Sequence, residues 1–282
     1  MDVLTTPATM RDWSSERHRL GERIGVVPTM GALHDGHHAL VDAVRARADV
    51  VVVTIFVNPL QFNQPADFDS YPRPVDDDLE ACRTTGVDAV YAPTAAAMYP
   101  PGFQTHVEPG ALADRLEGPM RPGHFRGVAT VVTKLFGATG ADVAAFGRKD
   151  FQQLAIVRRM VEDLDLGVEV LGVPIVRAED GLALSSRNTR LTAADRRAAA
   201  VISASLASAR AAFDAGEHDA GTIRSIAADG IASEPRASVE YVEVIDASTL
   251  EPVERVVAPA CVVTAAWFGD VRLIDNVLLG DD

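Results

Sequence analysis

Apolar positions follow two rhythms along the first two-thirds of the chain. Short β-branched runs read as strands: Arg23 to Thr29 (RIGVVPT), Asp49 to Asn58 (DVVVVTIFVN), then VDAVYAP, ADVAAFG and GVEVLGVPIV. Between them lie stretches of helical spacing. His37 to Ala48 repeats Leu40, Val41, Val44 and Ala48, and VDDDLEACRTTG, GVATVVTKLFGAT and DFQQLAIVRRMVEDL follow the same rule. The run from Asp49 to Asn58 is apolar on both faces, as a parallel strand covered by helices must be. Strand, helix and strand in this order form a βαβ unit with a right-handed crossover. The alternation predicts a Rossmann-like, doubly wound α/β domain with a parallel sheet over residues 1–187.

The rhythm changes after SSRNTRL. Thr192, three residues ahead of Asp195, resembles a capping box that opens one long alanine-rich helix, TAADRRAAAVISASLASARAAF. A second helix is predicted near Gly221 to Ser233. Three strand-like runs follow: SVEYVEVID, ACVVTAAWFG and VRLIDNVLL. Strands that come after helices, without alternation, predict a smaller α+β domain over residues 188–282.

Composition narrows the partners. The 282 residues carry a formal net charge of −14, which argues against nucleic acid as the main partner. It leaves room for an anionic small molecule, because one positive pocket can sit in a negative body. Cys82 and Cys261 form no CxxC pair, which fits a reducing compartment. The N-terminus lacks the apolar core of a secretory signal, and the longest apolar run, Val50 to Val57, is too short to span a bilayer. A soluble cytoplasmic protein without a membrane partner is expected.

Four strand ends and one acidic stretch hold the candidate chemistry. PTMGALHDGHHAL (Pro28 to Leu40) contains three of the seven histidines of the chain, His34, His37 and His38. Ligands of open parallel sheets bind beyond the carboxyl ends of the strands, which is where Met30 to His37 falls. Gly31 and Gly36 permit tight turning, and the following helix offers N–H groups and the positive end of its dipole to a phosphate. A metal site and a turn that is merely rich in histidine are the alternatives. Phosphate is preferred because the metal reading lacks third and fourth protein ligands, and His38 is placed on the helix surface. FGRKDFQQL (Phe146 to Leu154) repeats the strand–turn–helix pattern with Gly147, Lys149, Asp150 and Gln153. RAEDGLALSSRNTRL supplies hydroxyl and guanidinium donors, including Arg187, suited to a polyphosphate leaving group or to a surface hinge. IFVNPLQFN puts the amides of Asn58 and Gln61 at a fourth strand end, while Arg121, His124 and Arg126 lie in a glycine- and proline-rich loop. Asp76 to Asp78 in PVDDD could carry Mg²⁺ through Asp77 and Asp78 or favour the first turn of a helix, and the helix start is preferred.

The motifs PTMGALHDGH, FVNPLQF, LEGPMRPGHFRGVATVV, FGRKDFQQL and DGLALSSRN occur in this order. With AAWFGDVRLIDN they make the chain from Arg23 onward similar to the pantothenate synthetase (pantoate–β-alanine ligase) family. The HxGH element alone resembles only the wider nucleotidyltransferase superfamily, and a nucleotidyltransferase acting on another small acid is the alternative function. The resemblance implies a Rossmann-like domain, a C-terminal lid domain, a homodimer, and the substrates pantoate, β-alanine and Mg-ATP. It implies that pantoate is adenylated with release of pyrophosphate, and that β-alanine then displaces AMP to give pantothenate. It implies that Met30, Gly31, Ala32, Leu33, His34, Asp35, Gly36 and His37 line ATP, with His37 as proton donor. Gly147, Arg148, Lys149, Asp150, Val176, Leu184, Ser185, Ser186 and Arg187 complete the ATP site in this reading. Lys149, Ser185, Ser186 and Arg187 join His34 and His37 as catalytic groups, Gln61 binds pantoate and β-alanine, and Gln153 binds pantoate. Arg148 and His38 depart from common family patterns, Arg148 standing where many members have Glu. A carboxylate nucleophile is already ionised at neutral pH, so charge stabilisation by His37 is at least as plausible as proton transfer.

Overall fold

Six parallel strands form the first sheet of this computed structural model, which describes residues 1–257 and 259–280. The strands are β1 (Asp2–Leu4), β2 (Ile24–Thr29), β3 (Val50–Ile55), β4 (Ala89–Tyr91), β5 (Val143–Gly147) and β6 (Glu169–Val173). Their order across the sheet is β1-β4-β3-β2-β5-β6. The helices between them are α1 (Pro7–Arg19), α2 (Asp35–Arg45), α3 (Pro65–Asp69), α4 (Val75–Thr84), α5 (Ala95–Met98), α6 (Glu117–Met120), α7 (His124–Thr139) and α8 (Phe151–Asp163).

Alternation along the strands divides the core into two layers. Val50 and Val52 of β3 join Val26, Val128, Val132 and Val157 on one face of the sheet. Val51, Val53 and Ile55 join Val27, Leu40, Val41 and Val44 on the other. Both faces are thus covered, which is why β3 is buried along its whole length and can be continuously apolar. The order switches direction at β2, which pairs with β3 on one side and β5 on the other. Loops leaving β2 and β5 start from the same carboxyl edge, the usual ligand position in such sheets.

The sequence reading begins the sheet at Arg23, but β1 and α1 precede it. Their local signal is a cap: Thr6 accepts a hydrogen bond from Thr9 N, and Pro7 occupies the first turn of α1.

In the second unit, α9 (Ala193–Ala198), α10 (Val201–Asp214) and α11 (Ala220–Ala232) precede the antiparallel strands β7 (Ala237–Asp246), β8 (Ala260–Phe268) and β9 (Val271–Leu279). Ile202, Leu206 and Ala209 of α10 meet Ile223, Ala227 and Ile231 of α11, and both rows pack with Val262, Ala266 and Phe268 of β8. The long helix expected from Thr192 is two helices. Thr192 does cap the first, accepting from Asp195 N, but the run breaks at Ala199 and Ala200. Alanine gives no local reason to stop a helix; Ala199 is 0% exposed, so tertiary packing fixes the break.

The chain divides into Met1–Arg148 with Gln152–Pro174, and Lys149–Phe151 with Ile175 onward. The division falls earlier than the expected 187/188 boundary. Residues 175–187 join the second unit because they form a hairpin, with Leu184 N donating to Val176 O at 2.9 Å, tied to β9. Arg177 reaches both carboxylate oxygens of the buried Asp275, at 2.6 and 3.0 Å.

Cys82 and Cys261 are both buried and free. Burial, with a smaller contribution from the Asp78 charge, pushes the Cys82 thiol up to about 11. Burial raises that of Cys261 as well. Among the described residues, no helix is long and apolar enough to cross a membrane.

Candidate active site

Strand β2 ends at Thr29, whose hydroxyl donates to Thr54 O at 2.6 Å and so ties the strand end to β3. The chain then turns through Met30 to Leu33 and enters α2. His34 is the N-cap, in extended conformation, and its Nδ1 accepts the Gly36 N–H at 3.1 Å. His37, at the third helical position, accepts the His34 N–H on its own Nδ1 at 3.2 Å. This is a capping box in which two imidazoles replace the usual hydroxyl and carboxylate. The ring centroids are 4.1 Å apart and the planes are inclined by 39°. An Nδ1 that accepts carries no proton, so each neutral ring bears its hydrogen on Nε2.

The same geometry corrects the expectation of open helix amides. Gly36 N is taken by the His34 ring, and the N–H groups of His37 and His38 bond to His34 O at 2.7 and 3.2 Å. The donor character of this turn therefore resides in the imidazoles rather than in these amides. His38 lies outside the pair, with Nδ1 3.5 Å from Asp35 Oδ1.

A second polar group surrounds Gln61, the last residue of the short 3-10 helix Pro59–Gln61. Asn58, 1% exposed, donates through Nδ2 to Gln61 Oε1 at 3.0 Å and to Gly127 O at 3.1 Å. Its Oδ1 accepts from Tyr99 Oη at 2.7 Å and Leu60 N at 3.3 Å. Burial raises the Tyr99 phenol above its usual range, so it remains a donor. With its carbonyl held by Asn58, Gln61 presents its NH₂ group, which lies 3.1 Å from Met30 Sδ. The turn after β2 and the amide after β3 thus meet.

His124, 5% exposed, supports the same group from behind. Its Nδ1 must donate to Gln61 O at 2.8 Å, and its Nε2 then accepts from Arg121 Nη1 at 3.1 Å. It is the opposite tautomer to His34 and His37. Arg126, expected beside it, pairs with Glu108 at 3.2 Å.

Gln153 lies half-buried on α8. Its neighbour Gln152, which the sequence did not single out, is buried and fixes a loop. It accepts from Glu117 N at 3.0 Å and donates to Leu112 O and Arg115 O at 2.7 and 2.8 Å. Arg148 turns to β6, where Nε donates to Gly172 O at 3.0 Å.

Gly147 ends β5 in the first unit, and the remaining expected residues belong to the second unit. Asn276 Nδ2 donates to Lys149 O at 3.0 Å and so anchors the backbone that bears the ammonium stem. Ser185 caps the short helix Ser186–Arg190, accepting from Arg187 N at 3.3 Å. Asn188 Nδ2 closes the loop onto Ala183 O at 3.0 Å. Local bonds therefore fix the backbone that carries Ser185, Ser186 and Arg187.

Of Asp77 and Asp78, the expected Mg²⁺ ligands, Asp78 does not fit, because backbone amides already take its carboxylate. Both lie in the first turn of α4, as the preferred helix-start reading has it. Asp78 points inward, where Ala32 N donates to Oδ2 at 2.9 Å and Leu33 N to Oδ1 at 2.7 Å. Among the described residues, no group of three histidines, cysteines or carboxylates stands together to hold a metal ion.

A parallel sheet with a direction switch, paired imidazoles at its carboxyl edge and an oriented amide beside them define a nucleotide-binding α/β enzyme. Comparison with known proteins gives the particular family. The family described as pantoate-β-alanine ligase matches residues 2–278. The pantothenate synthetase of Heliobacterium modesticaldum is 48% identical over 279 residues, 99% of either chain. The crystal structure of pantothenate synthetase from Thermus thermophilus superimposes with a TM-score of 0.93 at 42% identity, covering 98% of this chain and 99% of that one. The ligase from Francisella tularensis, solved complexed with "Beta-gamma ATP and Beta-alanine", is 33% identical with a TM-score of 0.78, covering 99% of this chain and 97% of that one. The chain belongs to the pantoate–β-alanine ligase family.

Proposed function

We propose that the chain joins pantoate to β-alanine at the expense of ATP, through a pantoyl adenylate. In the first step a pantoate carboxylate oxygen attacks the α-phosphorus. The bond to the bridging oxygen breaks, and pyrophosphate leaves with the electron pair. In the second step the β-alanine amine attacks the acyl carbon. AMP leaves as the nitrogen gives up its proton, and pantothenate is formed.

The observation that carries this reading is the reciprocal cap of His34 and His37. It holds two Nε2–H donors at the carboxyl end of β2, where charge develops on the phosphoryl oxygens. The first step needs positioning and charge neutralisation rather than a base, because the nucleophile is already ionised. His37 acts as a hydrogen-bond donor. To give up a proton the ring would first have to be doubly protonated, and Nδ1 would then lose its bond to the His34 N–H. Lys149, Ser185, Ser186 and Arg187 neutralise the phosphates. The amide of Gln61 binds pantoate and β-alanine, and Gln153 binds pantoate. Mg²⁺ carried by ATP would supply further positive charge at the phosphates.

We propose further that the second unit serves as a lid and that the protein acts in the cytoplasm as a homodimer. Sedimentation at the 30.0 kDa of one chain would exclude the dimer. The activity is tested by measuring AMP with ATP, pantoate and β-alanine and with each omitted in turn. AMP is expected only in the complete mixture. No AMP above the pantoate-free control would overturn the assignment, and equal activity with other small acids would favour a nucleotidyltransferase of broader scope.

A further inference from the structure

The turn between β2 and α2 has an unusual backbone. Gly31 and Ala32 both have positive φ, 81° and 52°. For alanine this is a costly conformation, held only where its surroundings dictate it. Successive amides in turns of this kind converge on a concavity that accepts an anion. Here the anion comes from the chain itself. Asp78, 46 residues beyond Ala32, accepts the Ala32 and Leu33 N–H groups at 2.9 and 2.7 Å. The remaining amide, Gly31 N, is taken by Thr29 Oγ1 at 3.1 Å.

The fit is close. Asp78 is 2% exposed, and a β-carbon on Gly31 would stand 2.7 Å from its Oδ2. An acidic residue in a first helical turn is commonly there only to favour the helix dipole, and Asp76 and Asp77 of the same turn are exposed as that role allows. Asp78 differs because its carboxylate bridges two elements distant in sequence, and the element it reaches leads directly into the imidazole pair.

We infer that Asp78 is a positioning residue for the reaction, which rests on the function proposed above. Its carboxylate occupies the place that a phosphate would take in an open turn of this geometry. Two consequences follow for the nucleotide. The amides of residues 31–33 are committed internally, so phosphate is passed on to the His34 and His37 rings. The path of the backbone into His34 is also fixed, which sets the direction of both Nε2–H bonds. Asp78 therefore acts through the histidines without touching substrate.

Asp78→Asn keeps the size of the side chain but turns an NH₂ group against one of the two backbone donors. Its kcat is expected to fall about tenfold or more while the KM for ATP stays within about threefold, since the loss appears only as charge develops. A double-mutant cycle with His34→Asn separates positioning from general damage. In the His34→Asn background the same substitution is expected to lower kcat by a smaller factor than in the native background, because one of the two groups it directs is gone. Equal effects in both backgrounds, or an unchanged kcat in the single variant, would overturn the inference. The native protein gives a second measurement that holds even where the variant fails to fold. The Ala32 and Leu33 amides should exchange with solvent at least ~10²-fold slower than in an unstructured peptide, despite lying in a connection. Exchange at peptide rates would overturn it equally. Wild-type AMP formation reports on the function itself, so failure of that reading is seen independently.

Discussion

His34→Asn and His37→Gln should each fold normally and turn over at least ~10²-fold more slowly than the native enzyme. The choice of replacements follows from the cap. Asparagine is a preferred N-cap residue, and its Oδ1 can accept the Gly36 N–H that His34 Nδ1 now takes at 3.1 Å. Glutamine is a usual third-position partner in a capping box, and its Oε1 can accept the His34 N–H in place of the His37 ring. Each variant thus preserves the start of α2 and exchanges the directed imidazole Nε2–H beyond it for an amide NH₂ of different reach and direction. Alanine would remove both, costing about 1 kcal/mol of cap energy and confusing folding with chemistry. Loss of one preorganised donor to a developing oxyanion costs about 2.7–4 kcal/mol in other enzymes, which is the basis of the expected rate. Steady-state AMP formation and a thermal melt decide the matter. A variant with turnover within threefold of native would show that its ring serves the helix alone.

The second large effect is expected at Gly127. Here α7 crosses the 3-10 helix that carries Gln61 with no room between backbones. A β-carbon at this position would lie 2.3 Å from Leu60 O, 2.5 Å from Leu60 C and 2.6 Å from Gln61 N. These are main-chain atoms, so no side-chain rotation relieves the overlap. Gly127→Ala must push the two elements apart. That stretches the Asn58 bond to Gly127 O, now 3.1 Å, and the His124 bond to Gln61 O, now 2.8 Å. Overpacking together with strained buried hydrogen bonds should cost about 3 kcal/mol or more, read as a lower denaturation midpoint in urea. Turnover of the folded fraction should also fall, because the Gln61 amide moves with its backbone. Native stability in this variant would contradict the close crossing.

What the sequence discloses of this molecule depends on how local the cause is. The two-faced burial of β3 is legible because covered parallel strands leave no polar side, and the change to antiparallel pairing after residue 237 is legible because alternation with helices stops. The histidine pair is legible because its partners lie within one helical turn. The break at Ala199 is not, since alanine favours the helix and only its neighbours in space oppose it. Asp78 reads as a helix-start acid because its hydrogen-bond partners lie 45 and 46 residues away. Tyr99, which bonds Asn58 across 41 residues, carries no mark in its own neighbourhood. Gln152 and Gln153 are adjacent and chemically alike, so only the direction of α8 assigns the first to the loop at residues 112–117. The sequence thus points to the groups placed at strand ends, while the residues that hold those groups become apparent only when distant segments meet.

The two enclosed thiols have a practical use. Maleimide dyes react with accessible thiolates, and neither Cys82 nor Cys261 offers one. The native chain is therefore a silent background for fluorescent labelling, with no cysteine to remove. Single cysteines introduced at Leu20 in the first unit and Val257 in the second, 64% and 87% exposed, would each take a dye in the folded protein. Energy transfer between the pair would then follow the proposed lid during turnover, one molecule at a time.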